Sequence, residues 1–215
     1  MNDLRRVVYK MVTQQHEFNK EVSGDDWQKA DNNWLRCIWI ECAEVMGYLE
    51  WKWWGKQHAH EDLMTMELVD VFIFGISHDI IQNAGDLSCV ADNFVSIWEE
   101  TSRRQPPPTS DIPDYVEQLV VAALYGGHFC AYTFCCILQA KGLSITDLFF
   151  WYFGKNALNQ LRQHHGYKQG RYKKVWGGVD DNLVLSGLLK TKKLDADTAF
   201  DVIYAELDTM YAEVA

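Results

Sequence analysis

The sequence predicts an all-α helical bundle. Apolar residues recur at spacings of three and four along most of the chain, the period of one helix face. No run alternates with period two for long enough to build a sheet. With 48% hydrophobic residues among 215, the chain has ample material for a core. VVYKMV and VFIFGI have strand propensity, but both lie inside longer helical patterns.

Residues 3–20 carry an apolar stripe of Leu4, Val7, Val8, Met11 and Phe18, and Ser23-Gly24-Asp25-Asp26 then forms a loop. From Asn32 the stripe is Leu35, Ile38, Cys42, Val45, Met46 and Leu49; residues 62–81 repeat it through Met66, Val69, Phe72, Ile73 and Ile76. Gly85, Pro106-Pro107-Pro108 and Pro113 mark the strongest break. We read the proline stretch near 105–113 as a connection within one domain spanning 1–215. Residues 118–140 contain no Asp, Glu, Lys or Arg and read as one buried helix, in the bundle centre or at a subunit interface. That length would also cross a bilayer, but Gln118, His128, Thr133, Gln139 and Gly126-Gly127 speak against a span. A helix over 144–162 opens with the cap-like S-I-T-D, a short one covers 180–190, and the last runs from about Asp195 to Glu213.

Thirty acids against twenty Lys and Arg give a formal charge of −10. That balance argues against a nucleic-acid coat, whose affinity comes from neutralised phosphates, and leaves room for a small phosphorylated ligand in a local basic pocket. The six cysteines form no C-x-x-C pair and read as reduced thiols of a cytoplasmic protein. The first twenty residues lack the apolar core of a signal peptide.

Two carboxylate pairs carry chemistry. Glu41 and Glu44 form an E-x-x-E, and Glu67 and Asp70 an E-x-x-D in the following helix, so each pair shares a helix face. Such pairs are also common on solvated helix faces; here both are flanked by apolar residues and sit on consecutive helices. Antiparallel packing would let four carboxylates converge, and repulsion of about 4 kcal/mol per pair at 4 Å would then call for a cation or a proton. All-oxygen ligation suits Mg²⁺ or Mn²⁺.

A basic counterpart lies later. Between Phe149 and Val179 there is no acid, while Lys155, Arg162, Lys168, Arg171, Lys173 and Lys174 supply six positive charges. Lys155, Asn159 and Arg162 fall on one helix face. The segment reads either as a mobile basic tail closing over phosphates or as a solvated helix end. Trp51 to Trp54 (WKWW) can stack on a base or simply pack, and Gln15 and Asn19, four apart, can bond a base edge or be plain polar surface.

Together WLRCIWIECAEVMGYLEWKWW, MELVDVFIF and YFGKNALNQLRQHHGYKQGRYKKVW, in that order, resemble the dimeric all-α dUTPases, within the all-α NTP pyrophosphatase superfamily that includes MazG-like proteins. The likeness runs from about Gln15 onward and is generic over 86–145. It implies a homodimer that hydrolyses dUTP and dUDP to dUMP, by attack of metal-activated water at the β-phosphate, with two or more Mg²⁺ ions or substituting Mn²⁺. By the same resemblance, Glu41, Glu44, Glu67 and Asp70 are metal ligands, with Glu41 also orienting the attacking water. Lys155, Asn159, Arg162, Tyr167 and Lys174 would hold phosphates or deoxyribose, Gln15 and Asn19 the uracil edge, and Trp54 and Phe74 the base faces. His16, Phe18 and Met46-Gly47-Tyr48 depart from the family pattern and bear on base selectivity. Two other readings stay open: a pyrophosphatase for dCTP or another pyrimidine nucleotide, and a regulatory module that keeps the pocket but binds a protein partner.

Overall fold

The computed structural model describes residues 3–192 and 194–214. Its secondary structure is almost wholly helical: α1 (Asp3–Ser23), α2 (Trp34–Gly47), α3 (Glu61–Gln82), α4 (Leu87–Ser102), α5 (Ile112–Val121), α6 (Ala131–Ala140), α7 (Ile145–His164), α8 (Asp181–Thr191) and α9 (Ala199–Ala212). The chain divides into two compact units, residues 1–148 and 149–215, with the division inside α7.

In the first unit α3 is the central helix. Fourteen of its residues are buried, from Met64 to Ile80, and they lie on every side of it. α2 packs along α3, α1 packs on α3 and α4, and α6 joins α4 to α5. The core is aromatic: Phe72 of α3 stacks on Phe134 of α6 at 5.7 Å and meets Phe94 of α4 edge-on at 5.2 Å. Side-chain caps start several helices, among them the S-I-T-D start read from the sequence. Asn33 caps α2 by accepting from the Arg36 N–H (2.8 Å), and Asp86 caps α4 through Cys89 (2.9 Å). At α7, Ser144 and Asp147 bond each other's backbone N–H groups, a reciprocal cap with Asp in the Glu position. The prolines 106–108 lie between α4 and α5, inside the first unit.

The uncharged stretch is not the single helix the sequence predicts. α5 ends at Val121 and widens into a π turn over Ala122–Gly126. Gly127 then takes a left-handed conformation (φ +68°), donating its N–H to the Ala122 carbonyl. The glycine pair therefore breaks the pattern and leaves Val121, Leu124 and Tyr125 exposed, whereas α6 is buried over most of its length. Among the described residues no single helix is long and apolar enough to cross a membrane.

In the second unit α8 and α9 pack on α7, with Phe153 meeting Phe200 and Gly154 closely approached by Leu185 and Leu189. A two-residue hairpin, β1 (Val175–Trp176) with β2 (Val179–Asp180), turns through Gly177-Gly178, both at positive φ. It is too short to show an alternating pattern in sequence, though the Gly-Gly pair marks its turn. Asp195 to Asp197 lie in the turn before α9 rather than in its first turn, and Lys193 lies outside the described residues. All six cysteines are free thiols; Cys42, Cys135 and Cys136 are buried and the others half-buried.

Candidate metal centre and ligand-binding residues

The α2–α3 pairing creates the acidic centre. Ile38, Cys42 and Val45 are the buried positions of α2, and Glu41 flanks that stripe, half-buried. Glu67 is buried within α3 at 5% exposure, and Asp70 follows one turn on. One carboxylate oxygen from each of Glu41, Glu67 and Asp70 lies within 4.8 Å of the other two. At that separation and an effective dielectric of 20, each pair of charges repels by about 3–4 kcal/mol. Glu67 is too buried to escape by turning into water. A trio of hard oxygen donors in this state fits a divalent cation such as Mg²⁺.

Glu44, the fourth predicted acid, lies one turn further along α2, is exposed, and is outside that trio. Cys42 sits between the two glutamates, 1% exposed. Burial, and then the Glu41 charge, push its thiol up to about 12, so it stays a neutral thiol at pH 7.

Gln15 and Asn19 are buried, not polar surface. The Gln15 amide donates to Asn19 Oδ1 (2.9 Å), Asn19 donates to the Ser77 hydroxyl (2.9 Å), and Ser77 donates to the Ile73 carbonyl (2.7 Å). The four-residue spacing brings the amides together, and α1–α3 packing supplies Ser77, which sequence reasoning passed over. Trp54 and Phe74 lie in different surroundings. Trp54 is 59% exposed and packs edge-on against Trp51 and Trp53, whereas half-buried Phe74 faces Trp34 at 6.1 Å.

In the second unit the six basic residues divide: Lys168, Arg171, Lys173 and Lys174 are exposed, whereas the two on α7 are drawn into the interior. Lys155 and Arg162 are buried, Asn159 is half-buried, and Tyr167 and Lys174 are exposed. Arg162 forks onto Asp181, Nε to Oδ2 at 2.9 Å and Nη2 to Oδ1 at 2.8 Å, and its Nη1 donates to Asn159 at 3.0 Å. Lys155 donates to Asn182 Oδ1 at 3.0 Å. Tyr172 donates to Asp181 at 2.8 Å and stacks on Tyr211 of α9 at 5.0 Å, while the Tyr211 hydroxyl accepts from the Lys173 N–H. Burial, then the charge of Asp181, hold the Tyr172 phenol far above its usual range. The acid-free run in sequence hid this neutralisation, because Asp181 enters from the next helix.

A family model described as dUTPase matches residues 8–167, about three quarters of the chain. The chain belongs to that family, and dUTP hydrolysis is the activity that membership carries. No curated protein matches the chain. The matched range includes all four predicted acids, both amides and the basic positions through Tyr167; Lys174 and Asp181 follow it.

Proposed function

We propose that this member of the dUTPase family is a Mg²⁺-dependent enzyme that cleaves dUTP, and also dUDP, to dUMP. The observation that carries the reading is the trio of Glu41, Glu67 and Asp70, like charges gathered within 4.8 Å around a buried glutamate. Those three hold the ion or ions, with Mn²⁺ as a substitute, and Glu44 joins them as the fourth ligand. When bound, Mg²⁺ supplies positive charge that neutralises phosphate oxygens and acidifies water.

Glu41 orients the attacking water and accepts its proton. The water oxygen bonds to the β-phosphorus, the bond from that phosphorus to the α–β bridging oxygen breaks, and dUMP departs. Pyrophosphate is the other product from dUTP, and phosphate from dUDP. Such chemistry needs positioning and charge neutralisation more than covalent help. Lys155, Asn159, Arg162, Tyr167 and Lys174 take the phosphates and deoxyribose. Gln15 and Asn19 read the uracil edge, and Trp54 and Phe74 cover the base.

The test is turnover of dUTP, dUDP, dCTP and dTTP with and without Mg²⁺. Cleavage of dUTP and dUDP well ahead of dCTP is expected, and a preference for dCTP would move the substrate to another pyrimidine nucleotide. Within the same panel, Gln15→Leu is expected to raise KM for dUTP about 10- to 100-fold with kcat nearly kept, the mark of a lost hydrogen bond made equally in the ground and transition states.

A homodimer through the α2–α5 face is part of the same reading. A largely apolar groove of about 560 Å³ there is lined by Trp39, Cys42, Ala43 and Met46 of α2 with Val116, Val120 and Val121 of α5. Beside it Leu124 is 54% and Tyr125 87% exposed, and exposed apolar patches of this kind mark interaction sites. A solution mass of two chains is expected for the native protein. Val121→Asp should shift that mass toward one chain, and a native protein of single-chain mass would contradict the pairing.

A further inference from the structure

We infer that Asp181 is a positioning residue for the phosphate-binding side chains, fixing the Arg162 head and the Lys174 main chain in place. The inference rests on the proposed set that takes the phosphates and deoxyribose, places its three cations, Lys155, Arg162 and Lys174, on the phosphates, and adds the residue that presents them. Asp181 is fully buried in the first turn of α8. Its carboxylate takes both prongs of the Arg162 fork and the Tyr172 hydroxyl, while its N–H donates to the Lys174 carbonyl at 2.9 Å. Asn182, the next residue, accepts from Lys155 at 3.0 Å and from Arg162 Nη2 at 3.3 Å. One dipeptide at the start of α8 thus touches three residues that the reaction would use.

Chemistry favours positioning over mere cohesion. A buried ion pair adds little net stability, because desolvation offsets its attraction, so an apolar pair would hold α7 to α8 equally well. A bidentate carboxylate does what an apolar contact cannot: it fixes the plane of the guanidinium. The Asn159 contact fixes the remaining side of the fork. Arg162 is then set before substrate arrives, so little reordering is needed on binding.

The test compares phosphate-dependent and phosphate-independent binding in the full chain. In Asp181→Asn, kcat/KM for dUTP is expected to fall about 100-fold, the scale of a misplaced catalytic contact. Inhibition by deoxyuridine, which carries no phosphate, should stay within about twofold, since only phosphate contacts are disturbed. Unchanged kcat/KM overturns the inference. So does a matching loss of deoxyuridine inhibition, because general loosening would weaken both. Should Asp181→Asn fail to fold, Tyr172→Phe removes a single bond to Asp181; a fall of about fivefold in kcat/KM is expected, in line with one lost hydrogen bond, and no fall overturns the inference. Arg162→Lys marks failure of the underlying assignment: a loss of about 100-fold is expected at a bidentate site. Kinetics unchanged in Arg162→Lys would remove Arg162 from the phosphates, whereas loss there with none in Asp181→Asn would remove only the role of Asp181.

Discussion

Glu67→Gln is expected to lower kcat for dUTP by about 10³-fold, equivalent to about 4 kcal/mol of transition-state stabilisation. Glu67 is the most buried member of the acidic trio, and its amide replacement keeps the shape while removing the charge that holds a cation against Glu41 and Asp70. Stability should move the other way. Without metal, the variant loses two repulsive pairs of about 3–4 kcal/mol each before relaxation, so its Tm should equal or exceed that of the native protein. With Mg²⁺ the order should reverse, because a ligand of the folded state stabilises only the protein that binds it. Thermal scans of both proteins with chelator and with Mg²⁺ check this crossing. A variant whose Tm still rose with Mg²⁺ as the native protein's does would place the ion elsewhere.

Phe72→Ala is expected to destabilise the first unit by about 3–5 kcal/mol, the cost of a large core truncation and the cavity it leaves. Phe72 is fully buried and touches rings from both α4 and α6, so its loss loosens the helix that carries Glu67 and Asp70. For a chain of this size that corresponds to a Tm lower by about 6–20 °C. Trp53→Ala provides the contrast: at 89% exposure it should shift Tm by only about 1 °C. A Phe72→Ala variant as stable as the native protein would mean that α3 is not the organising helix of its unit.

The α2–α3 centre was legible because local rules and packing agree there. Glu41 and Glu67 lie beside apolar residues of strongly periodic helices, so the same pattern that builds the core also points the acids toward each other. Glu44 was less legible. Three-residue spacing puts it on the Glu41 face but does not decide whether its side chain turns toward α3 or to solvent, where the structure has it. The break at Gly127 was masked by composition, since uninterrupted apolar character hides a turn that only the Gly126-Gly127 pair signals. Asp181 escaped notice because its partner Arg162 is 19 residues away, across a loop and a hairpin. Acids and bases paired through tertiary structure leave no periodic trace. The buried amide chain from Gln15 to Ser77 is intermediate: its four-residue half was visible and its contact with α3 was not.

The central claim, that Glu41, Glu67 and Asp70 hold a divalent cation needed for dUTP cleavage, is met most directly by one titration. dUTP turnover by the native chain at micromolar substrate would be followed from excess chelator to millimolar Mg²⁺. Turnover that is absent under chelation, rises to saturation with Mg²⁺, and stays near zero throughout for Glu67→Gln is the expected result. Equal dUTP cleavage with and without the metal, or full Mg²⁺-stimulated cleavage by Glu67→Gln, would contradict the account.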